Sequence, residues 1–333
     1  MPVPCPGVQG HSVIIDRVNL ELARAVRESS TEALSWNKAR DLCKSGRVRV
    51  NGRVVLDPAA RLSSGDEVTF DRTAPKLRKG ALEAGAIVYV DPDVVVVNKP
   101  AGIMSVPFEH GDKDTLIDIT RAALRRSQRG FDPELGIVHR IDIDTTGLLV
   151  FTRNLAAKKH LSQQFRVHSV HRRYLAIAHG HVIGRTFDSM LLRDRGDGLR
   201  GSLGHFRAAR GKPPEDAQRA VTHVQLLERL GQREPSALAS LVECMLETGR
   251  QHQIRIHLSE AHNPLVGERV YIRDYRGPRI EAPRPMLHAA ELGFEHPRTG
   301  KELKFKLEPP EDFLGVLERL RAGAGSDAGP RRG

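Results

Sequence analysis

Apolar positions along this chain change their period several times, and each change marks an element. In LELARAV they recur at helical spacing, and the same holds for WNKARDLCKSG, which Ser35 can cap and Gly46 can end. In the second segment Ala39, Leu42 and Cys43 form the apolar stripe, and Lys38, Arg40 and Lys44 fall off it. The period then drops to that of a strand in VRVNGRVVL, where valines flank Asn51-Gly52. That dipeptide predicts a two-residue hairpin, because both turn positions need positive φ. Ser64-Gly65-Asp66 predicts another turn, leading into the strand EVTF.

Further on, IVYV and VVVV read as strands paired across Asp91-Pro92-Asp93. Asn98-Lys99-Pro100-Ala101-Gly102 reads as a stiff basic loop. Ile137-Val138 and Leu148–Phe151 have the composition of buried strands, with His139, Arg140, Asp142, Asp144, Thr145 and Thr146 crowded between them. Leu155 to Phe165 is an amphipathic helix pattern, followed by a bend carrying His168, His171, Arg172 and Arg173 and a strand containing Tyr174. In ETGRQHQIRIHLSEAHNP, Ile254, Leu258 and Ala261 predict a helix that Asn263-Pro264 ends. His252, Arg255 and Ser259 share another face and give it a cationic side. Two last strands flank the turn His296–Gly300, and His288 is a candidate supporting group.

These patterns divide the 333 residues into an arm at 1–15, a small domain at 16–73, a polar linker at 74–85, a large domain at 86–320 and a basic tail at 321–333. The net charge of +11 points to a polyanionic partner, with nucleic acid the default. Three cysteines form neither a C-x-x-C pair nor an even disulfide set, which fits a reduced, cytoplasmic protein. Neither a secretory leader nor a membrane-spanning run is expected.

The polar cluster allows more than one chemistry. Asp142 and Asp144 can work as an acid–base pair or sit in a charged surface hairpin; as a divalent-metal site they lack further ligands. His252, His257 and His262 share no helical face, so no metal is expected. Tyr174 beside basic residues suits base stacking as well as ordinary strand packing.

The segment ARDLCKSGRVRVNGRVV, with SSGDEV after it, resembles the alpha-L type RNA-binding domain. The resemblance implies RNA contacts by Lys38, Arg40, Lys44, Arg47, Arg49 and Arg53. The ordered motifs NKPAG, HRIDIDTTG, RRYLA, TGRQHQIRIH and LHAAELGFEHPRTG resemble the RluA-type pseudouridine synthases over about Ile87 to Pro309. That resemblance implies an α+β fold, a mixed and largely antiparallel sheet flanked by helices, in a monomer. It implies Asp142 as the catalytic aspartate, Arg255 as its basic partner and Tyr174 packed on the target base. Arg140 would fill the space of a flipped base, and Lys99, His139, Arg250 and His252 would contact RNA. Arg172 stands where lysine is common, Gln251 where Thr, Ser or Lys is common, and Arg193 to Gln218 matches poorly. The pairing of domains favours large-subunit ribosomal RNA as substrate. Transfer RNA, a non-catalytic RNA-binding or ribosome-assembly role, and a hydrolase using Asp142 with Asp144 are the alternatives. Moving a glycosidic bond from nitrogen to carbon within one nucleotide transfers no electrons or phosphoryl group, so no cofactor is expected. The chain accordingly carries no Walker loop or dinucleotide turn.

Overall fold

The computed structural model describes residues 11–16, 20–30, 34–45, 47–51, 53–55, 58, 60–62, 64–72, 85–107, 114–127, 134–204, 214–233 and 236–323. The chain forms two compact units, Met1–Ala81 and Leu82–Gly333.

In the small unit, Leu22–Glu28 and Trp36–Lys44 are the two expected helices, and the Ser35 hydroxyl accepts from the Lys38 N–H at 3.3 Å. Val48–Val50 and Arg53–Val54 pair as the expected hairpin, with Asn51 at φ 51°. The Asn51 side chain ties this turn to the next one, accepting from the Glu67 N–H and donating to Asp66, each at 2.8 Å. The arm expected at 1–15 is shorter than its composition suggests. His11–Ile14 pairs antiparallel with Glu67–Phe70, and Ile15 is buried with Leu22, Val26, Leu42, Val48 and Phe70. Alternating Val13 and Ile15 give that strand an inward face, which the prolines and glycines before it obscure. Residues 1–10 and the linker residues 74–84 lie outside the described residues.

The large unit is built on a sheet whose strands run, in spatial order, Gly201–Ser202, Arg185–Leu192, Gln218–Arg233, Ser236–Leu246, His171–His179, Leu287–Glu295, Thr146–Thr152, Val94–Lys99 and Ile87–Val90. Glu302–Lys306 adds to Leu287–Glu295, and Gly136–Ile137 to Thr146–Thr152. Every pairing is antiparallel except Thr146–Thr152 against Leu287–Glu295. The middle is covered on both faces, so its strands lose the period-two pattern. Val95, Val97, Leu149 and Phe151 pack with Leu116, Leu124, Ile254 and Leu258 on one side. Val94, Val96, Leu148 and Val150 pack with Leu161 on the other. The helix Glu311–Arg321 lies over Leu230 and Leu241 through Phe313 and Leu317. Arg321, assigned from sequence to the tail, ends this helix and pairs with Glu228 at 2.6 Å; residues 324–333 lie outside the described residues.

The parallel pair positions the turn before it. Gly147 faces Ala289 in register at φ 112°, and a Cβ there would stand 2.3 Å from the Ala289 carbonyl oxygen. Only glycine permits this approach.

Candidate active site

Asp142 sits on the tight turn entering Thr146–Thr152, which the Thr145 N–H closes onto the Asp142 carbonyl at 3.1 Å. The turn is anchored from several sides. Ser105 and Ile141 exchange two hydrogen bonds, the Gly102 N–H reaches Ile143 O at 2.9 Å, and Arg284 donates to Asp144 O at 3.1 Å. Lys99 contributes most. It was expected in a stiff basic loop as a substrate contact, yet it ends the strand Val94–Lys99 with no exposed surface. Its ammonium donates to Pro100 O, Ile143 O and Thr145 O at 2.9, 2.7 and 3.0 Å. Burial pushes its pKa down to about 7, against the pull of Asp144 and Asp142. Lys99 is therefore buried against the backbone of the aspartate turn, which it holds.

Arg255 comes from the helix Gln253–Glu260, whose residues through Leu258 are all buried. The cationic side expected from its sequence is internal, because the sheet covers one face and the loop after Gly267 the other. Arg255 Nη1 lies 3.8 Å from the nearer Asp142 oxygen, outside hydrogen-bond range. Its fork is occupied by Glu268, at 2.8 Å from Nε and 2.7 Å from Nη2. Glu268 also accepts the N–H groups of Arg269, Val270 and Tyr271 at 3.0, 2.9 and 3.3 Å. Burial opposes its charged form, but the Arg255 guanidinium and these N–H groups overcome that and hold the carboxyl below its usual range.

The loop shaped by Glu268 places the Tyr271 hydroxyl 2.8 Å from Nδ1 of His252. His252 caps the helix at φ 60°, a left-handed conformation that costs a non-glycine residue about 1–3 kcal/mol. Its Nε2 points to Asp142 at 4.0 Å. A Tyr271 hydroxyl that donates to Nδ1 fixes the imidazole proton on this nitrogen, toward the carboxylate. At the start of the helix, buried Gln253 accepts from Thr248 and the Arg250 N–H and donates to Val221 O, which fixes the Gly249–Arg250 turn.

Tyr174 lies on His171–His179, in register with Cys244 on one side and Ala289 on the other. Its ring lines the same cleft as Asp142, and burial raises its hydroxyl to about 12, so the phenol stays protonated. The cleft measures about 340 Å³ and is lined by His139, Arg140, Asp142, Tyr174 and His252 among others. That is within the range of sites that enclose small molecules, about 300–1,000 Å³. Arg140 is exposed at the rim, and Arg250 is exposed with its Nε donating to Arg219 O at 3.0 Å. His139 stacks on Phe165 at 4.6 Å, and its Nε2 accepts the Val150 N–H at 3.1 Å. Burial pushes its pKa down to about 3. His139 is thus a neutral wall of the cleft.

The sequence reading missed Glu268, Tyr271, Gln253 and Phe165. A signal existed for the first. Gly267 is held at φ 79° with a Cβ position 2.0 Å from Arg284 O, and Glu268 after it, beside Arg269, is the one acid in the otherwise mostly apolar run PLVGERVYI. The Asp91-Pro92-Asp93 turn likewise meets His296, bringing three ligand-type side chains together. These groups are committed to protein partners. His296 bonds Asp91 at 2.8 Å, Arg298 forks onto Asp93 at 2.6 and 2.8 Å, and Tyr89 and Asn154 take further oxygens. The cluster fastens the HPRTG turn to the sheet.

In the small unit Lys38, Arg40 and Arg49 are exposed and Arg47 is half-buried; the side chains of Lys44 and Arg53 lie outside the described residues. Trp36, which the sequence reading passed over, is partly exposed, with the guanidiniums of Arg27 and Arg40 at 4.6 and 5.7 Å from its ring. Among the described residues no helix is long and apolar enough to cross a membrane.

Comparison with known proteins gives two family matches: RNA pseudouridylate synthase over residues 93–260 and the S4 domain over residues 31–68. The chain is 36% identical over 316 residues to the ribosomal large subunit pseudouridine synthase D of Zymomonas mobilis, covering 92% of this chain and 95% of that one. It is 37% identical over 320 residues to an uncharacterized RNA pseudouridine synthase of Bacillus subtilis, covering 92% and 94%. Among solved structures, human RNA pseudouridylate synthase domain containing 4 shares the fold with TM-score 0.54 at 24% identity, covering 71% of this chain and 93% of that one.

Proposed function

Since the chain belongs to the RluA-type RNA pseudouridine synthases that carry an N-terminal S4 domain, and so isomerises uridine to pseudouridine in RNA, we propose that Asp142 is its catalytic carboxylate and large-subunit ribosomal RNA its substrate. Asp142 and Tyr174 line one cleft from two separate elements, with Arg255 of a third 3.8 Å from the carboxylate, and this arrangement carries the reading of the site. Similarity to ribosomal large subunit pseudouridine synthases D favours the ribosomal substrate.

The reaction breaks the bond from C1′ of the ribose to N1 of uracil and forms one from C1′ to C5. N1 gains a proton and C5 loses one. A carboxylate beside the sugar can bond covalently or stabilise positive charge developing at C1′. Asp142 has the reach for either, being partly exposed on a turn fixed by hydrogen bonds to its neighbours. Arg255 stays charged and sets a fixed positive charge 3.8 Å from the carboxylate. A paired uridine must first leave its stack. Tyr174 then supports the base and Arg140 enters the space it leaves, while Arg250 and His252 meet the flanking RNA. The cations of the small unit, Lys38, Arg40 and Arg49 among them, add phosphate affinity with little regard to sequence.

Asp142→Asn is the test. It is expected to abolish tritium release from RNA labelled at C5 of uridine while RNA binding persists. Turnover by that variant would remove Asp142 from the role. Sequencing pseudouridines in ribosomal and transfer RNA, from cells with and without the gene, tests the substrate.

A further inference from the structure

Arg172 is 7% exposed and lines the cleft two residues before Tyr174. Most other guanidiniums buried in this unit face a carboxylate: Arg255 faces Glu268, Arg284 faces Asp312 and Arg195 faces Asp197. Arg172 faces none among the described residues. Its Nη2 donates to Glu247 O at 2.5 Å, and its guanidinium lies 5.5 Å over the Phe165 ring. Its Nε is buried with no hydrogen-bond partner among the described residues. Nη1 makes no hydrogen bond among the described residues, and it stands 2.6 Å from where a Cβ on Gly249 would lie, so a side chain at 249 would have to shift the guanidinium. Arg250 brings a second positive charge to the same end of the cleft. A buried cation without a counter-charge is costly, and proteins keep such groups where a ligand supplies the missing anion.

We propose that Arg172, with Arg250, forms an anion site at the Leu246–Arg250 end of the cleft, and that its occupant is a phosphate oxygen of the uridine nucleotide being isomerised. Arg172 and Tyr174 both face the cleft from one strand, and two residues along a strand span about 6–7 Å. That is the span of a ribose between its base and its phosphate. With the base on Tyr174, the phosphate falls at Arg172 and C1′ is left facing Asp142. A guanidinium fork suits a phosphate oxygen in both charge and shape. This inference rests on the proposed reading of the cleft as the uridine site.

The test is inhibition of tritium release by uridine and by uridine 5′- and 3′-monophosphates, using the full chain and its Arg172→Met and Arg172→Lys variants. At least one monophosphate is expected to inhibit the native enzyme about ten- to a hundredfold better than uridine, the worth of one charge-assisted hydrogen bond. Arg172→Met should lose that preference and raise KM for RNA more than it lowers kcat. Arg172→Lys should keep part of the preference. Because the methionine removes an uncompensated buried charge, its melting temperature is expected to stay at or above that of the native chain. Monophosphates that inhibit no better than uridine would overturn the proposal. So would a preference that Arg172→Met retains, and a melting temperature that falls with the preference intact would assign Arg172 to the fold. An active Asp142→Asn would instead sink the reading of the cleft, and the two failures are distinct.

Discussion

Glu268 does not touch the cleft floor, yet replacing it should disable the site. Glu268→Gln keeps one oxygen, which can still take the N–H groups of Arg269, Val270 and Tyr271. The new amide then turns its NH2 toward the Nε–H of Arg255, where Glu268 now accepts at 2.8 Å. One charge-assisted hydrogen bond is lost, worth about 1.5–3 kcal/mol. Removing one partner from a buried ion pair costs about 3–5 kcal/mol in all. At about 2–4 °C per kcal/mol for a domain of this size, the melting temperature should fall by about 10 °C. The effect on rate comes from geometry. Arg255, no longer held, can close its 3.8 Å gap to Asp142 and form a direct pair. That draws the carboxylate about 1 Å from its position, an error that costs up to about a hundredfold in rate.

The assay is single-turnover tritium release with saturating enzyme, alongside thermal melting. Glu268→Asp, which keeps both oxygens, should recover part of the rate. A double-mutant cycle with Arg255→Lys separates the two roles that Glu268 could have. If it acts through Arg255, the two substitutions couple strongly. Coupling below about 0.5 kcal/mol, or a Gln variant that melts early but reacts at the native rate, would refute the reasoning and leave Glu268 as part of the scaffold.

Acid should unfold the chain partly through His257 and His288, which burial pushes down to about 4. Below the ordinary imidazole pKa of about 6.5 the unfolded chain takes up protons that the folded chain refuses. Stability is therefore lost as pH falls from about 6.5 toward 4, by up to about 1.4 kcal/mol per pH unit for each imidazole. Melting in His288→Asn should show a shallower dependence over that window, and an unchanged slope would contradict the assignment. Arg200 lies in the poorly matched segment, has no ion-pair partner among the described residues, and bears electrostatically on His252 and Tyr271. Arg200→Gln should reduce the slope of log affinity for oligouridine against log salt by about 0.7, the share of one phosphate contact on a single strand. An Arg200→Gln slope equal to that of the native chain would exclude such a contact.

The fold was legible wherever local sequence and tertiary demand agree. Asn51-Gly52, the cap at Ser35 and the runs around Asp91–Asp93 and His296–Gly300 each specify their turn locally. Sequence reading went astray where a charged residue was assigned to a loop that contacts substrate. Lys99 looks like a basic loop residue because nothing nearby announces the carbonyls of Ile143 and Thr145, which lie more than forty positions away. His11–Ile14 was hidden for a similar reason, since its partner strand lies at Glu67–Phe70. Within the site, motif order brought Asp142, Tyr174 and Arg255 forward. Spacing along the chain could not show that the fork of Arg255 belongs to Glu268.

That division has a chemical consequence. A carboxylate gripped by two guanidinium hydrogen bonds is well placed but poorly free to act, since its lone pairs are occupied. Here the grip falls on Glu268, and Asp142 meets the same guanidinium at 3.8 Å and the His252 imidazole at 4.0 Å. Asp142 gains the field of a fixed positive charge while its oxygens stay available to the sugar. The rigidity it needs comes instead from the backbone of its own turn, held by Lys99, Ser105 and Gly102. Position is supplied through the main chain and charge through the side chains, so the carboxylate can move toward C1′ without breaking the contacts that place it.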